Sequence, residues 1–310
     1  MKKVVVTGVT GKSGIYFYQE LCKNAYQLTD FEFYFVVRNQ AKAEEMLQCT
    51  QLNQHLLIGS LNDKQFVNTI FAMEGIHTLL HIAGIDKSLP LVKAAVKASI
   101  KRLILVHTTG IYSKYKAAGE TYRQIEKQID ALVNGRNMQL TYLRPTMIYG
   151  NLHDKNVAIF MTMVDRLRIF PVVNGAKYAL QPVWCGDLGK AYYQVLLNPD
   201  TATKRNYNLS GGQPVLLLDM LKIMAKYLGV KNRFISVPFS IAYSLAWVLY
   251  IASFGKKDYR EKVQRLVEPR TFDHNDAAND FGYAPLSFEI GVKAEVAEYL
   301  ALHKRTSHLS

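Results

Sequence analysis

The chain has 310 residues with 38 Lys and Arg against 25 Asp and Glu, which gives a formal net charge of +13. Hydrophobic residues make up 49% of the sequence, and this fraction excludes a disordered or fibrous chain. The three cysteines, Cys22, Cys49 and Cys185, form no Cys-x-x-Cys pair and have no histidine at ligand spacing, so we expect neither a disulfide framework nor a metal site.

The chain begins with a strand rather than with a targeting segment. Lys2 and Lys3 precede an apolar run, 4–6, that a glycine-rich stretch interrupts at once, and no cleavage pattern follows. We therefore expect a cytoplasmic protein.

Short apolar runs alternate with amphipathic stretches through the first half of the chain, which predicts a parallel sheet with helical crossovers. The predicted strands are 4–6, 33–37, 55–58, 78–82, 103–106 and 140–144, and the predicted helices are 13–25, 41–49, 63–72, 90–99 and 120–134. Several strands are apolar at nearly every position, as expected when helices cover both faces of a sheet. The fold class is therefore α/β, a doubly wound Rossmann sheet.

A glycine-rich loop joins the first predicted strand to the first predicted helix. Glycines at this turn let backbone N–H groups approach a pyrophosphate, and the helix N-terminus adds its partial positive charge. A mere tight turn is the alternative, but the position of the loop in an alternating α/β pattern favours nucleotide binding. The candidate cofactor-binding residues of the loop are Gly8, Thr10, Gly11, Lys12, Ser13 and Gly14.

The end of the second strand indicates which dinucleotide would bind. An NAD site usually has an acidic residue there for the ribose hydroxyls, but this sequence has Arg38. With Lys12 and Lys42, Arg38 forms a cluster suited to a 2′-phosphate, although an ordinary solvated arginine is the alternative. NADP is favoured over NAD.

Six segments, in a specific order, carry a family resemblance that runs nearly from end to end. They are 7–14 (TGVTGKSG), 81–84 (HIAG), 141–150 (TYLRPTMIYG), 181–188 (QPVWCGDL), 207–212 (YNLSGG) and 281–285 (FGYAP). Together they resemble the extended or atypical branch of the short-chain dehydrogenase/reductase superfamily, with its NAD(P)-dependent epimerases, dehydratases and reductases. The resemblance implies that Ala83 and Gly84 lie beside the cofactor and that Pro145 borders the nicotinamide and the substrate.

The resemblance also implies a catalytic hydroxyl, a tyrosine and a lysine, the last two as Tyr-x-x-x-Lys on one helix face. Thr108 stands at the hydroxyl position, and the alternative of equal weight is a strand-end threonine that bonds backbone. The predicted helix supplies Tyr122, but Glu126 occupies the fourth position after it, and Lys127 comes one residue late, rotated by about 100°. Thr108, Tyr122 and Lys127 are the catalytic candidates.

A literal Tyr-x-x-x-Lys pattern also occurs at Tyr112 and Lys116. It precedes the predicted helix, so we interpret it as accidental, with Tyr112 as the less favoured alternative to Tyr122. Arg144 either binds a substrate phosphate or pairs with an acidic side chain, and the histidines near the strands are interpreted as structural.

After Gly150 the pattern changes to longer helices and fewer strands. We predict a dinucleotide-binding domain of 1–150 plus about 181–197, and a smaller, mostly helical substrate-binding region of 151–180 and 198–310. The resemblance makes a homodimer reasonable and implies a small-molecule substrate, a nucleotide sugar or another carbonyl or hydroxyl compound.

The segment 234–255 contains no charged residue. Its predicted helix, 239–254, is too short to span a bilayer comfortably, so a packed or dimer-interface helix is favoured over a membrane-surface helix, and a span comes last. The following stretch, 256–265, has mixed charge and helical spacing typical of a solvated face. Peripheral membrane contact through 239–254 stays open, whereas scattered basic residues without a recognition motif argue against nucleic acid.

Two functions follow from these observations. The first is an NADP-dependent oxidoreductase or epimerase/dehydratase-like enzyme acting by hydride transfer. The second is a catalytically degenerate NADP-binding sensor or assembly protein, because the tyrosine and lysine are irregularly spaced.

Overall fold

The computed structural model describes residues 1–152, 154, 156–200 and 206–307, with side chains through residue 302. Its strands are β1 (Lys2–Thr7), β2 (Phe31–Val37), β3 (Gln54–Ile58), β4 (Ile76–His81), β5 (Arg102–Val106), β6 (Gln139–Pro145), β7 (Ile148–Tyr149), β8 (Ile169–Val173), β9 (Ala179–Leu180), β10 (Val183–Trp184), β11 (Asn206–Leu209), β12 (Val215–Leu216) and β13 (Arg233–Val237). Its helices are α1 (Gly14–Lys23), α2 (Gln40–Met46), α3 (Lys64–Ala72), α4 (Ser88–Lys97), α5 (Gly119–Val133), α6 (Val157–Arg166), α7 (Cys185–Leu197), α8 (Leu217–Leu228), α9 (Phe239–Ala252), α10 (Arg260–Leu266), α11 (Asn275–Phe281) and α12 (Phe288–Ser307).

The central sheet has seven parallel strands in the order β11-β6-β5-β4-β1-β2-β3. Chain order reverses between β1 and β4, which is the switch point where doubly wound sheets bind ligands. The loops that follow β1 and β4 meet there. The doubly wound fold class predicted from the sequence is confirmed.

All six predicted strands form, and a seventh joins them at one edge. The strand β11 pairs with β6 in parallel, with Tyr207 opposite Leu143. The predicted division places this strand in the substrate-binding region, but its hydrogen bonds belong to the central sheet. Strand β11 has only four residues, two of them asparagines, so its apolar pattern is too weak to predict a strand.

Alternate residues of β1 feed the two cores that cover the sheet. Val4 and Val6 lie in one core with Phe17 of α1, while Val5 lies in the other with Leu91 of α4. Helices on both faces explain why this strand is apolar at successive positions rather than at every second one.

Beyond residue 150, a third core joins α6, α8 and α12. Helix α7 instead packs on α1, with Leu188 and Tyr192 in the core of the sheet. The exact division into domains stays a prediction.

A buried pair of carboxyl groups lies at the junction of α6 and α12. Asp154 accepts hydrogen bonds from the backbone N–H groups of Asn156 (2.7 Å) and Ala158 (3.1 Å) and so caps α6. Glu295 of α12 is buried beside it, and burial together with the Asp154 carboxylate raises the pKa of Glu295 to about 9. Glu295 is therefore a neutral acid at neutral pH.

The apolar segment forms helix α9, which ends at Ala252, two residues before the predicted end. Among the described residues, no helix is long and apolar enough to cross a membrane. Within α9 only Ala246 is buried, so the helix is not packed within a single chain, and the dimer-interface part of the favoured expectation stays a prediction.

Candidate functional site

A groove of about 550 Å³ lies over the switch point of the sheet. We call it the dinucleotide groove; it is lined by Gly8, Thr10, Gly11, Lys12, Ser13, Val36, Val37, Arg38, Asn39, Lys42, Gly59, Ser60, Leu61, Asn62, Ile82, Ala83, Gly84, Asp86, Lys87 and Ile148. Eight of the ten predicted cofactor-binding residues are in this set. Gly14 lies behind it at the start of α1, and Pro145 ends β6.

Backbone packing dictates the glycines of the loop. Gly8 has a φ of +79°, and a Cβ there would lie 2.6 Å from the backbone nitrogen of Ala83. A Cβ on Gly14 would collide with the carbonyl oxygen of Gly8. The loop can therefore lie against the end of β4 only with glycine at both positions.

Positive side chains line the groove. Lys12, Arg38 and Lys42 are among its lining residues, and Asn39 caps α2 by accepting a hydrogen bond from the backbone N–H of Lys42 (3.0 Å). Among the described residues that line the groove, the one carboxylate is Asp86, which is paired with Lys87 (2.6 Å). The donors present fit the phosphates of a dinucleotide.

His81 holds in place the segment after β4 that lines the groove. Its Nδ1 lies 2.6 Å from the Thr7 hydroxyl and its Nε2 lies 3.3 Å from the carbonyl oxygen of Gly84. Burial lowers the pKa of His81 to about 3, so the ring is neutral; Nε2 donates to Gly84 and Nδ1 accepts from Thr7. The structural interpretation of this histidine agrees with these contacts.

A second space of about 720 Å³ adjoins the groove and shares Lys12 and Ile148 with it. We call it the cation-lined cavity; its walls are Lys12, residues 108–110 and 112–116, residues 146–148, Asn156, Leu180, Gln181, Arg265 and residues 267–272. A molecule in the groove would therefore reach into the cavity.

Thr108 and Lys116 meet at the cavity beside Gly110. A Cβ on Gly110 would lie 2.7 Å from Lys116 Nζ and 3.2 Å from Thr108 Oγ1, so both polar ends border the same small space. Thr108 Oγ1 accepts a hydrogen bond from the Gly110 N–H (3.0 Å), which leaves its own proton free to donate. Burial, followed by Arg265, lowers the pKa of Lys116.

The structure does not bring Lys127 to this cavity. Lys127 is exposed on the outer face of α5, as the extra 100° of rotation implies, and Tyr122 does not line the cavity either. Lys116 instead lies over the Tyr122 ring, 4.9 Å from its centre. Tyr112 and Lys116 both line the cavity with Thr108. The structure thus brings together two residues whose spacing the sequence analysis interprets as accidental.

Glu126, at the position where the resemblance implies a lysine, is the centre of a buried network. Its carboxylate accepts hydrogen bonds from Arg144 Nη2 (2.6 Å), Arg144 Nε (3.2 Å) and His107 Nδ1 (2.9 Å). Burial would raise the pKa of Glu126, but the hydrogen bonds from His107 and Arg144 outweigh it and hold that pKa below its usual value. Burial also lowers the pKa of His107, whose Nε2 accepts from Ser88 Oγ (3.0 Å).

The network shows which group Arg144 binds. The sequence left it between a substrate phosphate and an acidic side chain, and the structure pairs it with Glu126. One nitrogen, Nη1, still reaches the Tyr112 hydroxyl oxygen (3.2 Å) and donates to it.

The far wall of the cavity comes from residues 265–272, which sequence reasoning missed. The buried carboxylate of Glu268 accepts from Ser113 Oγ (2.7 Å) and from the Lys114 backbone N–H (2.8 Å), tying this wall to the loop after β5. Arg265 and Arg270 also line the cavity, and burial lowers the pKa of Arg270 to about 10. The stretch 256–265, which the sequence predicts to be a solvated helix face, therefore ends in Arg265, a residue that lines the cavity.

Residues 1–254 match the NmrA-like family in sequence. No curated protein matches the chain. Among solved structures, UDP-glucose 4-epimerase from Thermotoga maritima has a TM-score of 0.72 at 17% identity, covering 97% of this chain and 99% of that one. UDP-glucuronic acid 4-epimerase from Bacillus cereus, solved with UDP-glucuronic acid and NAD, has a TM-score of 0.69 at 15% identity, covering 97% and 99%.

A third solved structure has the same fold at similar distance in sequence. UDP-glucose 4-epimerase from Thermus thermophilus, solved with NAD, has a TM-score of 0.65 at 17% identity, covering 95% of this chain and 98% of that one. These identities are too low to transfer a substrate, but the TM-scores show a shared fold over 95–97% of this chain.

Proposed function

The chain belongs to the NmrA-like family and has the fold of the extended short-chain NAD(P)-dependent epimerases and dehydratases, and on that premise we propose that it is an NADP-dependent enzyme. Its reaction would be hydride transfer to or from a small carbonyl or hydroxyl substrate that carries negative charge. The observation that carries this proposal is the continuity of the dinucleotide groove with a cavity lined by Thr108, Tyr112 and Lys116.

The preference for NADP rests on the cations that line the groove. Lys12, Arg38 and Lys42 all line it, and Arg38 stands where an acidic residue would serve NAD. A guanidinium binds a phosphate through two parallel hydrogen bonds, which favours the 2′-phosphate.

The negative charge of the substrate follows from the cavity walls. Lys114, Lys116, Arg265 and Arg270 line the cavity, and its buried carboxylate, Glu268, is already bonded to Ser113 and Lys114. Glu268 acts electrostatically on Arg270 and Glu261 pairs with Arg265 (3.8 Å), but these two carboxylates face four cations, so the wall keeps a positive charge that an anionic group would meet.

When bound, the nicotinamide supplies or accepts the hydride. The Thr108 hydroxyl would donate a hydrogen bond to the reacting oxygen and orient it. Tyr112 would give or take the proton, because it lines the cavity and its oxygen receives a hydrogen bond from Arg144, whose charge stabilises the phenolate that remains. The Lys116 ammonium would stabilise negative charge on the Tyr112 oxygen electrostatically.

Matched tyrosine variants test this assignment. In steady-state NADPH oxidation with carbonyl substrates, nucleotide sugars included, we expect Tyr112→Phe to lower kcat by about a hundredfold or more and Tyr122→Phe by less than about tenfold. NADPH affinity, measured by fluorescence titration, should be unchanged in both. Equal losses in the two variants would contradict the assignment.

A second candidate function is dinucleotide binding without turnover, as in a sensor or an assembly subunit. Glu126 favours it, because the position of the expected catalytic lysine holds a carboxylate committed to Arg144 and His107. Tight NADPH binding without consumption of any substrate would support this candidate and contradict the proposal that the protein is an enzyme.

A further inference from the structure

Helix α9 exposes apolar side chains over much of its circumference. Ile241, Leu245 and Val248 are 58–59% exposed, and Phe254, directly after the helix, is 93% exposed. A monomer normally buries the apolar stripe of a surface helix against its own core. In α9 most large apolar side chains are exposed to solvent, and only Ala246 is buried.

The exposed side chains form one broad surface. At about 100° per residue they span an arc of about 200°, wider than the stripe of roughly 100° that a helix needs for its own core. The members of this arc are Ile241, Leu245, Trp247, Val248, Leu249 and Ile251. The other side of α9 packs on α10, where the Arg260 guanidinium lies 4.0 Å from the centre of the Tyr250 ring.

The apolar surface continues onto the strand pair that leads into the helix. Strand β13 runs parallel to β8, with Ile235 opposite Pro171, and all of Ile169, Pro171 and Ile235 are exposed. Pro238 connects β13 directly to α9. The strands and the helix therefore form one apolar surface rather than scattered exposed residues.

Cations border this surface at both ends. Lys231 and Arg233 precede it, Lys256 and Lys257 follow it, and all four are exposed. Residues 231–257 contain no Asp or Glu, and the next carboxylate, Asp258, is paired with Arg260 (2.6 Å). A partner with an apolar interior and an anionic rim complements this arrangement.

We propose that α9 and its basic flanks dock in the plane of an anionic lipid bilayer, as a peripheral contact. Interfacial helices bury their apolar face about 5–10 Å deep, and each flanking cation adds attraction to anionic headgroups. A symmetric contact with a second copy would use the same patch on both chains and would bring the same cations together, so a bilayer is the better complement.

Vesicle co-sedimentation tests the proposal directly. We expect the full chain to bind vesicles of equal parts phosphatidylcholine and phosphatidylglycerol at least about tenfold more tightly than vesicles of phosphatidylcholine alone. Protein that stays in the supernatant with both vesicles, or binds both equally, overturns it.

Matched variants separate this surface from general stickiness. Ile241→Gln should weaken binding about tenfold or more, whereas Ile290→Gln on α12, which also removes an isoleucine that is 59% exposed, should leave it unchanged. The double variant Lys256→Gln/Lys257→Gln should weaken binding about tenfold relative to Lys93→Gln/Lys97→Gln, which removes equal charge from exposed positions of α4. Equal effects within either pair overturn the proposal.

A measurement on the unmutated surface completes the test. Trp247 lies on the apolar arc, and the only other tryptophan is Trp184. In a Trp184→Phe chain, lipids brominated near the headgroups should quench Trp247 more strongly than lipids brominated near the chain ends. Absence of quenching, together with a dimer in light scattering that Ile241→Gln dissociates, would identify a contact between copies instead.

Discussion

The dinucleotide groove and the cation-lined cavity adjoin each other but are built in different ways. The groove is shaped by backbone, since Gly8 and Gly14 exist to let main-chain atoms approach one another. The cavity is shaped by long side chains, and Lys116 comes from a segment far along the chain from the one that holds Glu268 and Arg270. A backbone-built site tolerates little change, whereas a site built from flexible side chains can adjust, so the two should respond differently to the same kind of substitution.

The largest expected effect comes from adding a methyl group to the backbone-built site. Gly8→Ala places a Cβ 2.6 Å from the Ala83 nitrogen, so we expect NADPH affinity to fall by at least about a hundredfold in fluorescence titration. The control is Gly135→Ala, with a similar φ of +72° but no atom within 4 Å. Both variants should lose about 1 kcal/mol of stability from the positive φ, Gly8→Ala should lose more because of its backbone clash, and only Gly8→Ala should lose binding. Retained binding would show that the loop can move.

A smaller effect is expected from loss of one charge in the groove. Arg38→Gln should weaken NADPH binding about tenfold to a hundredfold and leave NADH binding nearly unchanged, because only NADPH carries the 2′-phosphate. Arg136→Gln, an exposed arginine after α5, is the control. Parallel losses for both dinucleotides would assign Arg38 to the pyrophosphate or to stability.

The same methyl addition in the side-chain-built site should cost less. Gly110→Ala places a Cβ 2.7 Å from Lys116 Nζ, the end of a flexible side chain that can swing away. We expect KM to rise about tenfold while the melting temperature stays within a few degrees of the parent. A collapse of stability would mean that the cavity is as rigid as the groove, and the comparison would fail.

The smallest effect concerns stability alone and lies outside both spaces. Because the folded-state pKa of Glu295 is raised from 4.5 to about 9, the folded chain holds one more proton than the unfolded chain between these values. Its stabilising contribution is complete below pH 4.5 and is lost as pH rises towards 9. Melting temperatures from pH 5 to 9 should therefore fall less for Glu295→Gln than for Glu298→Gln, its exposed neighbour. Identical slopes would refute the raised pKa.

Local signals were sufficient for six of the seven strands of the sheet and for the glycine loop. Strand and helix patterns each lie within a few residues, and the glycine loop is contiguous, so both could be predicted from the sequence. The position of Lys116 beside Gly110 could not be predicted from the sequence, because its loop is held by contacts of Ser113 and Lys114 with the distant Glu268. The wall itself lies more than a hundred residues later, and no local pattern connects the two.

Glu126 also restricts what this chain can become. A single change to lysine at that position would restore the family spacing after Tyr122, but it would set a buried ammonium against Arg144 and His107 with their carboxylate gone. A viable return would need a second, simultaneous replacement of Arg144, and Arg144 also holds Tyr112. We therefore expect Glu126→Lys alone to be strongly destabilised, so that one substitution cannot give this chain the regular Tyr-x-x-x-Lys spacing.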